Sequence, residues 1–282
     1  MHTDSVRCLN ATGFHRMVYH EWGSADNDRV VVCVHGLARN SRDFDELAKL
    51  LSRDYRVICP DIVGRGESDW LPSGQPYAIP QYLNDITTLL ARLNVDQVDW
   101  VGTSMGGIIG MCLAALPGSP IKHLVLNDIG AFIPSSALQR ISDYLGDKQF
   151  ATLDEVEAYM RQTYVSFSKL SDQQWHHLVR SGCKERPEGG YALHYDPAIA
   201  QATLENASED IDLWPIWSAI QIPQLLIWGE SSDVLQEETV RKMQANDKLD
   251  LVTVPDTPHV PSLMERDQIK QIQEWLRLHR NR

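Results

Sequence analysis

Three residue types in this chain have the chemistry of acyl transfer and a chain order that lets them act together: a serine, a carboxylate and a histidine. The serine is Ser104, within "VDWVGTSMGGIIGMCLAAL" (98–116), where Gly102-Thr103-Ser104-Met105-Gly106 fits Gly-x-Ser-x-Gly. Average glycine and serine frequencies give roughly 0.1 such matches by chance in a chain of this length, so the pattern alone is only moderately specific. Its setting adds more. An apolar run before it and another after it predict a strand, a tight turn and a helix. At such a turn the residues flanking the serine must be small. The turn lifts the hydroxyl above the strand ends. It also sets it at a helix N-terminus, whose unpaired N–H groups favour developing negative charge.

A serine hydroxyl needs a base, and the base needs an orienting acid. In a strand–turn–helix elbow the partners follow in the order serine, acid, histidine. Of the later histidines, His123 opens a predicted strand. His176, His177 and His194 fall in a long segment without strand–helix alternation, and His279 is near the end. His259, in "VPDTPHVPS", follows the last predicted strand in a loop shaped by three prolines. Open parallel sheets place their sites at strand C-terminal ends, so His259 is the expected base. Asp233, just after the strand in "LLIWGESSDVL", is the expected acid. Asp128, at the end of "LVLND", competes, because a different strand terminus can deliver a carboxylate to the same histidine. Glu230 sits closer to its strand, and Asp256 is placed to shape the His259 loop.

The oxyanion formed by serine attack requires two donors. The backbone N–H of Met105, the residue after the nucleophile, is one. The other is the N–H of Leu37 in "HGLARN" (35–40), beside Gly36, which admits close backbone approach. His35 is placed to orient this loop. Arg39 and Asn40 either reach the pocket or serve as a surface charge and a helix cap. Trp228 is a further substrate-binding candidate.

The elements that must position these groups alternate. Valine-rich "RVVVCVHG" (29–36) reads as a buried parallel strand. Residues 55–64, 98–102, 121–128, 223–230 and 250–256 read as further strands. Residues 41–51, 79–93, 105–116 and 262–278 read as helices, the second with a clear 3.6-residue period from Ile79 to Leu93. This alternation predicts a mostly parallel sheet with helices on both faces. Residues 131–217 break the pattern with helices, loops and many aromatics, too long for a connection. They are expected to form a helical cap over one edge of the sheet, some of the aromatics making its own core.

Composition narrows the function classes. The chain has 282 residues, 43% hydrophobic and 23% charged, with a net charge of −12, ordinary for a globular α/β protein. An acidic chain without a basic stretch is a poor nucleic-acid ligand. The cysteines (Cys8, Cys33, Cys59, Cys112 and Cys183) are odd in number and lack CxxC spacing, which argues against a disulfide framework or a zinc knuckle. No run approaches the ~20 apolar residues of a membrane span, and the N-terminus lacks a signal-peptide core. The expectation is a reduced, soluble, cytoplasmic protein with no metal or cofactor. It has no nucleic-acid or membrane partner, and its oligomeric state is open.

The motifs "VHGLARN", "DIVGRGESD", "GTSMGG", "LVLNDIG", "LLIWGESSDVL" and "PHVP" together resemble the α/β-hydrolase superfamily, specifically its capped bacterial esterase-like group. They span residues 29–261, with the insertion where that family places its cap. The resemblance implies an α/β-hydrolase core at residues 1–130 and 218–282 and a helical cap at 131–217. It carries the family's nucleophile to Ser104, its acid to Asp233, its base to His259 and its oxyanion donors to Leu37 and Met105. It implies a serine hydrolase acting on carboxylic esters of small molecules. Relatives with an aspartate nucleophile, the haloalkane dehalogenases and epoxide hydrolases, are disfavoured by Ser104. Carbon–carbon bond or lactone hydrolysis, or a small-molecule receptor on the same fold, are the alternatives.

Overall fold

The protein is described by a computed structural model over residues 1–74, 76–167 and 169–279. Eight strands form the main sheet: β1 (His2–Asn10), β2 (Gly13–Trp22), β3 (Val30–Val34), β4 (Arg56–Pro60), β5 (Val98–Thr103), β6 (Ile121–Asn127), β7 (Gln224–Gly229) and β8 (Leu249–Val254). Their order is β1-β2-β4-β3-β5-β6-β7-β8. All pairs from β4 to β8 are parallel, while β1 and β2 are antiparallel. The sheet is therefore wider than the alternation predicts. The extra hairpin, residues 2–22, carries charged and polar residues at close intervals and gives no continuous apolar run, so it lacks the signature of the buried strands. It is held to α2 (Ile79–Leu93) by His15, whose Nε2 lies 2.9 Å from Asp85 Oδ2. Cys8 joins this cluster, its Sγ within 4.8 Å of the His15 and Asp85 polar atoms. Burial, reinforced by Asp85, pushes its thiol up to about 12.

Strand β3 shows why the central run is continuously apolar. Val30, Val32 and Val34 enter one hydrophobic cluster, while Val31 and Cys33 enter the other. Alternate side chains serve opposite faces, and both faces are covered by helices. Those helices are α1 (Asp45–Leu51), α2, α3 (Met105–Ala114), α9 (Glu237–Met243) and α10 (Arg266–His279). A 3-10 turn, Ser41–Phe44, precedes α1, and the Asn40 side chain caps it by accepting from Arg42 N at 3.1 Å.

Between β6 and β7 the chain leaves the sheet. It forms α4 (Ser135–Tyr144), α5 (Leu153–Thr163), α6 (Asp172–Gly182), α7 (Ala198–Asn206) and α8 (Trp214–Ala219). Two small sheets accompany them: Phe132–Ile133 pairs with Ile211–Asp212, and Tyr191–Leu193 lies between Gln149–Phe150 and Cys183–Glu185. Polar contacts bind this insertion to the core. Asn40 Nδ2 donates to Ser181 O at 2.7 Å, Gln174 Nε2 to Met264 O at 3.0 Å, and Tyr77 OH to Asp196 Oδ2 at 2.5 Å.

Among the described residues no helix is long and apolar enough to cross a membrane.

Candidate active site

Strands β3 and β5 are neighbours but not consecutive, because β4 lies on the far side of β3. Chain crossovers leave in opposite directions at such a point, opening a crevice above the strand C-termini. The loop after β3 and the turn after β5 meet there. A side-chain carbon added to Gly36 would lie only 3.9 Å from Ser104 Cβ.

Ser104 occupies the turn between β5 and α3 with φ 49° and ψ −111°. A left-handed φ is costly for a serine and persists only where surroundings impose it. The two flanking glycines explain how the turn closes. A Cβ on Gly102 would meet Gly106 C at 2.4 Å, and one on Gly106 would meet Val34 O at 2.0 Å. Ser104 stands at the N-cap of α3, yet its side chain makes no capping hydrogen bond. Its hydroxyl instead faces His259: Nε2 is 3.1 Å from Ser104 Oγ. The other ring nitrogen, Nδ1, lies 2.7 Å from Asp128 Oδ2.

Asp128, not Asp233, is the carboxylate the fold brings to His259. It directly follows β6, next to β5, with φ 54°, and is fully buried. Its two oxygens also accept from Gly229 N at 2.8 Å and Ser232 Oγ at 2.6 Å. The loop after β7 thus supplies donors to Asp128 rather than a carboxylate of its own. Asp233 lies one residue beyond Ser232, where the chain has turned outward. It is half-exposed and ion-paired with Arg140, accepting from Nη2 at 2.9 Å and from Nε as well.

Leu37 and Ser104 border both cavities that open at this point, and Met105 borders the larger. His35 stabilises the Leu37 loop as the sequence suggests. Its Nδ1 contacts Gly36 O at 2.7 Å, and its Nε2 accepts from Ile62 N at 3.0 Å. Burial lowers its pKa to about 3, so it is neutral with Nδ1 as the donor.

Arg65, within "DIVGRGESD", carries no expected role in the sequence analysis. In the structure its side chain is buried and bonds to both loops: Nε donates to Leu37 O at 2.9 Å, and Nη2 reaches Met105 Sδ at 3.6 Å. Tyr82 OH and Val63 O hold its other end at 2.9 and 2.8 Å. An arginine between the glycines of "VGRGES", at the end of an apolar strand, is the signal that could have marked it, because a cation there must find buried acceptors.

The remaining candidates divide. Arg39 borders the smaller cavity, paired with Asp43 and set over the Tyr164 ring at 5.1 Å. Burial disfavours its charge, but the Asp43 carboxylate outweighs that and raises its pKa. Asn40 is a helix cap and a tie to the insertion, not a pocket residue. Trp228 is likewise corrected: it is buried in the core, its indole N–H donating to Leu235 O at 2.9 Å. A bulky residue on the last turn of a fully buried strand packs inward.

A parallel sheet with a strained serine elbow, a histidine on the final strand's loop and a buried carboxylate defines a class. The chain belongs to the alpha/beta hydrolase fold family, whose model matches residues 29–265. It is 46% identical over 276 residues to the 3-hydroxybutyrate-oligomer hydrolase of Cupriavidus necator, covering 94% of each chain. A solved structure from Rickettsia typhi is 33% identical with a TM-score of 0.92, covering 99% of both chains. An alpha/beta hydrolase from Novosphingobium aromaticivorans is 32% identical with a TM-score of 0.87, covering 98% of both.

Proposed function

We propose that this hydrolase is a serine esterase and that its substrates are short ester-linked oligomers of hydroxy acids. The unbroken relay from Ser104 through His259 to Asp128, opening onto two cavities, carries the esterase reading. The 46% identity to a 3-hydroxybutyrate-oligomer hydrolase supports the substrate class.

In this reading His259 Nε2 takes the proton of Ser104 as Oγ attacks an ester carbonyl. Asp128 holds the imidazole in the required tautomer and stabilises its cation. The N–H groups of Leu37 and Met105 hold the oxyanion, and Arg65 keeps their two loops in register. His259 then protonates the leaving alcohol. Water, deprotonated by the same imidazole, releases the acyl group from Ser104. The insertion acts as a cap that screens the acyl-enzyme.

The test combines labelling with turnover. A fluorophosphonate is expected to modify Ser104, and Ser104→Ala is expected to lose about 10⁴–10⁶ in kcat on a 3-hydroxybutyrate trimer and on p-nitrophenyl butyrate. An adduct at another residue, or an active Ser104→Ala protein, overturns the assignment.

A further inference from the structure

The two cavities that meet at Ser104 differ in size, charge and access to His259. The smaller, about 60 Å³, is bordered by His259, Arg140 and Tyr144. The larger, about 810 Å³, is bordered by Met105, Ile108, Leu138 and Ile211, with Glu209, Asp210 and Asp212 adding acidic charge. Among the described residues no lysine or arginine borders the larger cavity, and His259 borders only the smaller of the two.

Leaving-group chemistry orients a substrate in this space. The alkoxy oxygen must come within hydrogen-bond reach of His259 Nε2, because that nitrogen donates the proton when the carbonyl–oxygen bond breaks. The leaving alcohol therefore belongs on the smaller side and the acyl chain on the larger. A cavity of about 60 Å³ has room for about five water-sized groups, so it takes a single small unit and not a chain. In an oligomer of hydroxy acids the alcohol that leaves from the carboxyl-terminal linkage carries the free carboxylate. Two arginines border this cavity. Arg39 is engaged by Asp43 through Nε and Nη2 and by Met160 through Nη1, which leaves Arg140 as the cation with a donor to offer. Asp233 engages Arg140 through Nε and Nη2. A guanidinium has five N–H donors, so Nη1 remains to meet an anion. The acidic side of the larger cavity repels a carboxylate and tolerates the neutral hydroxyl end.

We infer that the site reads the polarity of its substrate, with Arg140 receiving the terminal carboxylate in the small cavity while the rest of the chain lies in the large one. The enzyme then removes one hydroxy acid at a time from the carboxyl end. Each cycle breaks the last ester bond. The alkoxy oxygen takes its proton from His259, and water completes the cycle by releasing an oligomer one unit shorter with a new carboxylate. This rests on the esterase reading above and adds its direction.

The experiment uses wild-type enzyme and a 3-hydroxybutyrate trimer labelled with ¹³C in its hydroxyl-terminal unit, the methyl ester of the same trimer, and p-nitrophenyl butyrate. The first products expected are unlabelled monomer and labelled dimer. The free acid should exceed its methyl ester in kcat/KM by about tenfold, the scale of one partly solvated charge-assisted contact. Arg140→Gln should bring that ratio close to one, and Arg140→Lys should keep part of it. Labelled monomer as the first product, or equal rates on acid and methyl ester, overturns the inference while turnover of p-nitrophenyl butyrate leaves the esterase reading standing. Failure on every ester overturns both.

Discussion

Asp128 is engaged by His259, Gly229 and Ser232 at 2.6–2.8 Å. The carboxylate cannot turn away without leaving a buried acceptor unpaired. Asp233 has a different life at the surface, paired with Arg140 and 44% exposed. Replacing Asp128 by asparagine keeps its shape but favours the wrong imidazole tautomer, at a cost of about 10⁴ in kcat. Asp233→Asn weakens an exposed ion pair, worth about 1 kcal/mol or less, and should cost under about tenfold. Steady-state kinetics of both variants on one activated ester decide between them. A larger loss in Asp233→Asn would mean that the carboxylate beside His259 is not the one that matters.

At the scale of elements, the turn between β5 and α3 places the nucleophile by excluding side chains. The helix start packs on β3 so closely that Gly106 is almost in contact with the Val34 carbonyl. Gly106→Ala must push α3 away from β3, because a backbone carbonyl cannot swing aside as a flexible side chain can. The expected loss is about 2–3 kcal/mol, a fall in Tm of roughly 3–5 °C for a chain of this size, with a larger loss of turnover as Ser104 shifts. A thermal melt within a degree of wild type would show that the elbow has slack. The same element explains the ordering of the loops. Leu37 follows β3 and Met105 follows β5, and buried Arg65 from the loop after β4 bonds to both. Three strand ends that are distant in sequence are thereby fastened at one point.

Across the whole molecule, the insertion and the sheet together enclose the large cavity. Ile108 comes from α3, while Leu138 and Ile211 come from the insertion. If the acyl chain lies there, filling the space should act on chain length before it acts on chemistry. Leu138→Trp is expected to lower kcat/KM for p-nitrophenyl octanoate about tenfold more than for the acetate, because apolar pockets discriminate at roughly 1–3 kcal/mol per methylene. Measuring the acyl-length series in both proteins tests this, and superimposable profiles would place the acyl chain elsewhere.

Residue order and local pattern determined much of this protein. The valine-rich runs and Gly-x-Ser-x-Gly specify their strands and elbow through sterics that act within a few residues, so the parallel core and Ser104 were legible directly. His259 was legible because, of the later histidines, it is the one that follows a strand of the predicted alternation. The insertion was legible by length, since no ordinary connection needs so many residues. Three features were not. The β1–β2 hairpin lies at the sheet edge, where half-solvated strands carry polar residues that blur alternation. Arg65 acts through contacts with Leu37 and Met105, which local pattern does not record. The choice between Asp128 and Asp233 depended on which strand end faces His259 across the sheet. Both carboxylates follow a strand, and both precede His259 in the chain. Only the order β5-β6-β7-β8, with the loop after β7 bonded inward to Asp128 before Asp233 turns out to Arg140, separates them, because a hydrogen bond is decided by distance in space and not by position along the chain.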